Sequence, residues 1–163
     1  MTSIRTSLAV TLGLCMAQMP QMAGAGTLIA EAFRSVQAPS VEGLALQYHL
    51  SPFYERGETS ASWGFRIATD DAQNSFVGGG VTGQHSFGNG WFVQAGVMPG
   101  YYSATDAEYE LGSDLEFYSF AAIGHSLGEK AAVSFSAAHM SNANLGTINP
   151  GRNFLALRLS TSF

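Results

Sequence analysis

Cysteine is almost absent from this sequence, since Cys15 is the only one among 163 residues. It lies in an N-terminal segment with the pattern of a secretory signal peptide: a basic start, an apolar run over residues 8–17 and small residues at 23–25. We expect residues 1–25 to be removed and the mature chain to begin near Gly26. A mature chain without cysteine excludes disulfides, thiolate metal sites and cysteine nucleophiles.

Charged residues and long hydrophobic runs are also scarce. Charged side chains make up 12% of the chain, while hydrophobic residues make up 46%, against roughly 25% charged residues in an average soluble domain. No segment after residue 25 approaches the roughly 20 consecutive apolar residues of a membrane-spanning helix. An exported chain that is apolar, weakly charged and without such a helix is typical of a transmembrane β-barrel, in which only alternate residues face lipid.

The charge balance and the length limit the possible functions further. Without Arg5, six of the seven basic residues remain against twelve acidic ones, which is a net charge of −6 with histidine neutral. Nucleic-acid binding therefore has no support, because the sequence contains no basic patch. Removing 25 of the 163 residues leaves 138, which we expect to form a single domain over residues 26–163.

Apolar and polar residues alternate with the two-residue period of β-strands. Near the C-terminus Leu155, Leu157 and Leu159 fall on one face, with Arg158 and Ser160 on the other. Similar runs, separated by turn residues, predict eight strands. Their ranges are about 28–36, 43–51, 60–68, 76–86, 91–103, 115–126, 131–140 and 153–163. Eight strands match the smallest bacterial outer-membrane barrels, whose interior is filled by side chains.

The predicted fold class is therefore all-β, an eight-stranded antiparallel transmembrane barrel in the outer membrane of a Gram-negative bacterium. With both termini in the periplasm, an even strand number assigns every turn to one side. The turns near 52–59, 87–90 and 127–130 would face the periplasm, and those near 37–42, 69–75, 104–114 and 141–152 would face outward.

Two serine–histidine pairings are candidates for chemistry. The first, Gly124-His125-Ser126-Leu127-Gly128, matches the G-x-S-x-G nucleophile elbow of α/β-hydrolases and would make the protein a secreted, soluble esterase. Only 37 residues follow Ser126, too few for the acid, the histidine and the rest of such a sheet. Since a five-letter match in a glycine-rich sequence is weak, we interpret this stretch as the periplasmic turn between strands six and seven.

The second pairing lies at the end of predicted strand seven, where His139 and Ser141 continue the lipid-facing parity. Residues two apart in a strand point the same way, about 6.6 Å apart. Asn153 has the same parity at the start of strand eight, and directly opposed residues of neighbouring strands lie within about 5 Å. The three could cluster outside the barrel near its extracellular end. From alternation alone, a strand that ends at Ala138 and continues as a hydrated loop is the favoured alternative.

This C-terminal region resembles a known family. His139-Met140-Ser141-Asn142-Ala143-Asn144-Leu145, followed by Asn149-Pro150-Gly151 and a strand ending in Phe163, is similar to the C-terminal signature of PagL-type lipid A 3-O-deacylases. Leu111-Gly112-Ser113-Asp114-Leu115-Glu116-Phe117 resembles another segment, so the likeness covers about residues 111–163. It implies an eight-stranded outer-membrane esterase that removes the 3-O-linked hydroxyacyl chain of lipid A in lipopolysaccharide, without metal or cofactor. The oligomeric state, monomer or homodimer, stays open.

The resemblance also implies roles for single residues. Ser141 would be the nucleophile and His139 its general base, and Asn149 and Asn142 would belong to the oxyanion and substrate-binding site. Where the family has a glutamate that orients the histidine, this chain has Asn153, which can accept a hydrogen bond but brings no charge. Glu116 is an alternative support for His139, as are the acidic residues of the loop before it.

Two competing hypotheses remain at this point. One is a non-catalytic eight-stranded barrel with a structural or adhesive role, in which His139 and Ser141 have no chemical task. The other is the secreted esterase that would use Ser126.

Overall fold

The computed structural model describes residues 26–163, which form one antiparallel sheet. The predicted signal peptide lies outside the described residues. The strands are β1 (Gly26–Ser35), β2 (Glu42–Leu50), β3 (Tyr54–Arg56), β4 (Thr59–Asp70), β5 (Ser75–Ser86), β6 (Trp91–Ser103), β7 (Leu115–Ser126), β8 (Ala131–Ser141) and β9 (Arg152–Ser162). Ala107–Tyr109 forms one turn of 3-10 helix. In the described part of the chain, no helix combines the length and apolar character needed to cross a membrane.

Eight of these strands close into a barrel. β9 pairs with β1 and β2 pairs with β4, so the eight long strands form a closed ring, while the short strand β3 pairs with the start of β4 alone. The prediction of an eight-stranded antiparallel barrel is confirmed, with every strand end within two residues of its expected position. The structure contains one short strand that was not predicted, β3 (Tyr54–Arg56). It lies within the predicted turn at 52–59, which is long enough to fold back and form a hairpin with β4.

The outward face of the barrel is apolar. Along β4, Trp63, Phe65 and Ile67 are each more than half exposed, at 51%, 53% and 55%. Side chains of this size are seldom left so exposed in a row when water is the solvent, whereas lipid would cover them in a membrane barrel. The two-residue period of the sequence is therefore the period of a wall with lipid on one side.

The inward face is polar and filled, and its charged centre is Glu31 of β1. The Glu31 carboxylate is 1% exposed and lies 2.8 Å from Arg66 Nη1 and 3.5 Å from Arg158 Nε. Gln47 Nε2 donates to Glu31 Oε2, and Arg158 Nη2 donates to Gln94 Oε1. These contacts connect β1, β2, β4, β6 and β9 across the interior, so the side chains themselves fix the separation of opposite walls.

Aromatic rings supplement the single carboxylate of this centre. The guanidinium carbon of Arg66 lies 4.0 Å from the Tyr118 ring centre, and that of Arg158 lies 4.8 Å from the Phe120 ring centre. The electron-rich ring faces attract the two cations that Glu31 alone does not neutralise.

Replacing Glu31 with alanine should destabilise the barrel severely, because two buried guanidinium groups would lose their counter-charge. We expect a loss of about 3–5 kcal/mol in the free energy of unfolding, measured by denaturant titration of the protein in detergent micelles. Glu42→Ala is the matched control, since the Glu42–Arg34 pair is 3.6 Å apart with side chains 49% and 66% exposed and should contribute about 0–1 kcal/mol. Equal unfolding midpoints for the two variants would contradict the role given to Glu31.

Candidate active site

β8 and β9 bring His139 and Asn153 together on the outward face of the barrel. The two residues are direct partners in the strand register, and His139 Nδ1 lies 2.7 Å from Asn153 Oδ1. The backbone groups of Asn153 point away from β8, because its carbonyl accepts from the Val36 N–H and its N–H donates to Gln37 Oε1. His139 and Asn153 are therefore a non-hydrogen-bonded pair of the antiparallel ladder, the kind in which side chains approach most closely.

This contact selects the tautomer of His139. An amide oxygen only accepts hydrogen bonds, so the proton in the 2.7 Å contact belongs to His139 Nδ1. In the neutral imidazole Nε2 then carries the free lone pair. The arrangement can therefore accept a proton at Nε2, on the side of the ring away from Asn153.

Ser141 is the last residue of β8 and lies two residues beyond His139, on the same face. It is half-buried and is paired in register with Phe117 of β7. Among residues 26–163 no hydrogen bond joins Ser141 Oγ to His139. Hydrogen bonds between a nucleophile and its base are often long before substrate binds and shorten in the complex.

The loop after Ser141 is organised around Asn142, which is fully buried at 0% exposure. Asn142 Nδ2 donates to the carbonyls of Leu111 and Ile148, at 3.0 and 2.7 Å, and Oδ1 accepts from the Asn144 N–H at 2.9 Å. These bonds hold Ala143 and Asn144 at positive φ, 53° and 62°, a conformation that costs a non-glycine residue roughly 1–2 kcal/mol. Both amide hydrogens of Asn142 are therefore already used in joining two loops.

The Asn149 side chain joins the same network, but only part of its hydrogen-bonding capacity is occupied there. Asn149 Oδ1 accepts from the backbone N–H of Asn142 at 3.2 Å, and Nδ2 donates to Asn144 Oδ1 at 3.1 Å. Since the amide has two hydrogens, one N–H of Asn149 keeps no protein partner within the described residues. A half-buried amide donor thus remains available near Ser141.

Glu116, the alternative support for His139, lies on the other side of the barrel wall. It is 0% exposed and follows the inward parity of Tyr118 and Phe120 in β7, whereas His139 points outward. No carboxylate forms an ion pair with His139 in the described part of the chain. Asn153 is consequently the side chain that the structure brings to the imidazole.

Ser126 lies at the opposite end of the barrel from Ser141. It is the last residue of β7, and its N–H donates to the Gly90 carbonyl at 2.9 Å, within the short turns of that end. The neighbouring His125 ring packs edge-on against Trp91, with ring centres 5.1 Å apart. No helix follows Ser126, since β8 begins at Ala131, so the strand–turn–helix geometry of a nucleophile elbow is absent from this segment.

Three neighbours of the site were missed by the sequence reasoning. Gln37 and Val36 reach Asn153 from the β1–β2 loop, and the Ser119 hydroxyl donates to the His139 carbonyl at 3.2 Å. Barrel closure was the available signal for the first two, because pairing of the first and last strands brings this loop beside the start of β9.

The fold belongs to the class of transmembrane β-barrels. The chain is similar to the crystal structure of the outer membrane enzyme PagL, with 19% identity, a TM-score of 0.64 and coverage of 83% of this chain and 99% of that one. It also resembles a de novo designed transmembrane β-barrel (8%, TM-score 0.59, coverage 89% and 100%) and Neisserial surface protein A (9%, TM-score 0.54, coverage 85% and 96%). Comparison with curated proteins finds no match.

The family model described as Lipid A 3-O-deacylase (PagL) matches residues 42–162. Because this match spans most of the chain, the protein belongs to the PagL family. The resemblance seen over residues 111–163 is thereby confirmed and extends to the start of β2. The predicted enzyme class, a carboxylic ester hydrolase, and the predicted outer-membrane location are confirmed with it.

Gly151 gives the site a testable steric constraint. Its φ is +60°, and a Cβ there would lie 2.8 Å from His139 Cε1. Gly57 has a φ of +58°, but a Cβ at that position would meet no atom within 4 Å. Gly151→Ala and Gly57→Ala should both lose roughly 1–2 kcal/mol of stability from backbone strain. Only Gly151→Ala should also displace the imidazole and lower the rate of acyl release from lipid A, by about a hundredfold. Equal rates in the two variants, measured by mass spectrometry of lipid A, would show that the ring tolerates the added methyl group.

Proposed function

We propose that this protein hydrolyses the 3-O-linked hydroxyacyl ester of lipid A with Ser141 as nucleophile, His139 as general base and Asn153 as the acceptor that orients His139. The 2.7 Å contact between His139 Nδ1 and Asn153 Oδ1 carries the proposal. It leaves Nε2 as the proton acceptor, on the strand face that also bears the Ser141 hydroxyl.

The reaction is an acyl transfer in two stages. His139 Nε2 takes the Ser141 proton while Oγ attacks the ester carbonyl, and the tetrahedral intermediate collapses as His139 returns the proton to the departing sugar oxygen. Water, deprotonated by His139, then attacks the acyl-serine, and Oγ recovers its proton as the 3-hydroxy fatty acid leaves. Asn149, with its remaining N–H, is the donor for the oxyanion, and Asn142 holds the loop that carries Asn149.

A lipid substrate supports a site on the outer wall. The interior gap at the end of the barrel nearer His139, lined by Phe33, Tyr102 and Arg152, has a volume of about 20 Å³, which is room for one water and none for an acyl chain. A larger interior hollow of about 270 Å³ lies at the opposite end, around His49 and Gln94. The outward face beside His139 instead contains an open hollow lined by Val36, Ala121 and Ala137. Lipid A lies in the outer leaflet, so its ester reaches a site at the extracellular end of the wall without a channel.

Ser141→Ala should abolish deacylation, while Ser126→Ala should leave it unchanged, because Ser141 shares a face with His139 and Ser126 lies at the opposite end of the barrel. The measurement is the mass of lipid A from a Gram-negative host that expresses each variant, with barrel folding verified by the mobility difference of heated and unheated protein. Loss of one hydroxyacyl chain in wild type and Ser126→Ala, and its retention in Ser141→Ala, is the expected result. Unmodified lipid A beside a folded wild-type barrel would instead favour the non-catalytic barrel.

The proposed role of Asn153 predicts opposite effects on kcat for removing its amide and for replacing the amide with a carboxylate. Asn153→Ala removes the acceptor for Nδ1–H and should lower kcat by about tenfold, while Asn153→Glu supplies a charged acceptor for the imidazolium and should raise kcat by about fivefold. Steady-state rates on purified lipid A in detergent check both. A folded Asn153→Glu barrel without activity would show that Asn153 is not the orienting residue.

A further inference from the structure

The register between β1 and β9 ends one residue before Asn153. Ser35 pairs with Phe154, and the next pair in sequence would be Val36 and Asn153. Half of that pair forms, since the Val36 N–H donates to the Asn153 carbonyl at 3.0 Å. In a continuing antiparallel ladder the Val36 carbonyl would accept the Asn153 N–H in return. Here Gln37 Oε1 accepts it, at 2.8 Å, so a side-chain amide replaces the missing backbone partner.

The loop that carries Gln37 is fixed at its base. The Ser35 N–H donates to the Val41 carbonyl at 2.9 Å, and the Val41 N–H donates to Ser35 Oγ at 2.9 Å. Ser35 and Val41 are 2% and 1% exposed, so these bonds are shielded from water. Gln37, itself half-buried, is therefore presented to β9 from a closed loop.

Asn153 depends on such support more than a carboxylate would. A charged acceptor continues to attract an imidazolium when it moves by several tenths of an ångström, because Coulomb attraction falls slowly with distance. A neutral amide acts through a directional hydrogen bond that weakens steeply when misaligned. Asn153 is also the second residue of β9, where an unpaired N–H would attract water and loosen the strand end.

We propose that Gln37 is a positioning residue that acts on His139 through Asn153. It lies outside the lining of the hollow beside His139, and it holds the Asn153 backbone so that Oδ1 stays aligned with His139 Nδ1. This inference rests on the proposed function, since it assigns Gln37 to the same serine–histidine site.

Variants of Gln37 separate hydrogen bonding from shape. Gln37→Met keeps the length of the side chain and removes the acceptor, so kcat should fall about tenfold with KM within about twofold, because substrate contacts are unchanged. Gln37→Glu keeps an acceptor oxygen and should recover kcat to within about threefold of wild type. Ser40→Ala, at an exposed position of the same loop, is the control and should match wild type.

A double-mutant comparison distinguishes positioning from general support of the fold. In an Asn153→Ala background Gln37→Met should change kcat by less than about twofold, because the group that it positions is gone. An active wild type with an unaffected Gln37→Met overturns the inference alone, as does a loss of the same size in both backgrounds. A folded wild type that releases no acyl chain from lipid A overturns the proposed function, and this inference with it.

Discussion

The pairing of β1 with β9 is the interaction on which the interior and the candidate site both depend. It removes the free edges of the sheet, and its register makes Glu31 and Arg158 direct partners on the inward face. A slip of one residue would reverse the faces and move Glu31 toward lipid, where a charged side chain is costly. The same pairing brings the β1–β2 loop beside Asn153. One register therefore determines both the buried ion cluster and the surroundings of His139.

The two faces of the barrel wall are in different environments, because the inward face is buried and polar and the outward face is apolar and exposed. At the centre of the interior, the Glu31 carboxylate and several amide and aromatic groups surround two guanidinium groups, because burying an unpaired charge is costly. Outside, the wall is apolar between its two ends, and near the end that carries the longer loops His139 and Asn153 form a hydrogen bond with one another. In the adjoining loops, the Asn142 side chain forms hydrogen bonds with the backbone of both loops. These bonds stabilise the positive φ of Ala143 and Asn144.

The alternation of apolar and polar residues predicted most strand positions, because successive side chains of a barrel strand point to opposite faces of the wall. It was weakest where the faces are not cleanly apolar and polar: β5 is rich in glycine, and β7 points Tyr118 and Phe120 inward. Parity and strand order were sufficient to predict that Asn153 faces His139, and the inward parity of Glu116 was a signal against its alternative role. Gln37 could not be found in this way, since its contact depends on where β1 stops and how a loop turns.

The neutral partner of His139 fits its position on a lipid-facing wall. A glutamate–imidazolium pair needs both charges to be desolvated, and that cost rises where hydrocarbon replaces water. An asparagine contact avoids this cost on its own side, because the amide is uncharged and accepts the Nδ1–H through its carbonyl oxygen. The disadvantage of asparagine in the proposed mechanism arises when His139 accepts a proton, since the amide then offers only its dipole to the cation. In the proposed mechanism, precise alignment of Asn153 compensates for its lack of charge, and the backbone bond from Asn153 to Gln37 then serves the chemistry as well as the fold.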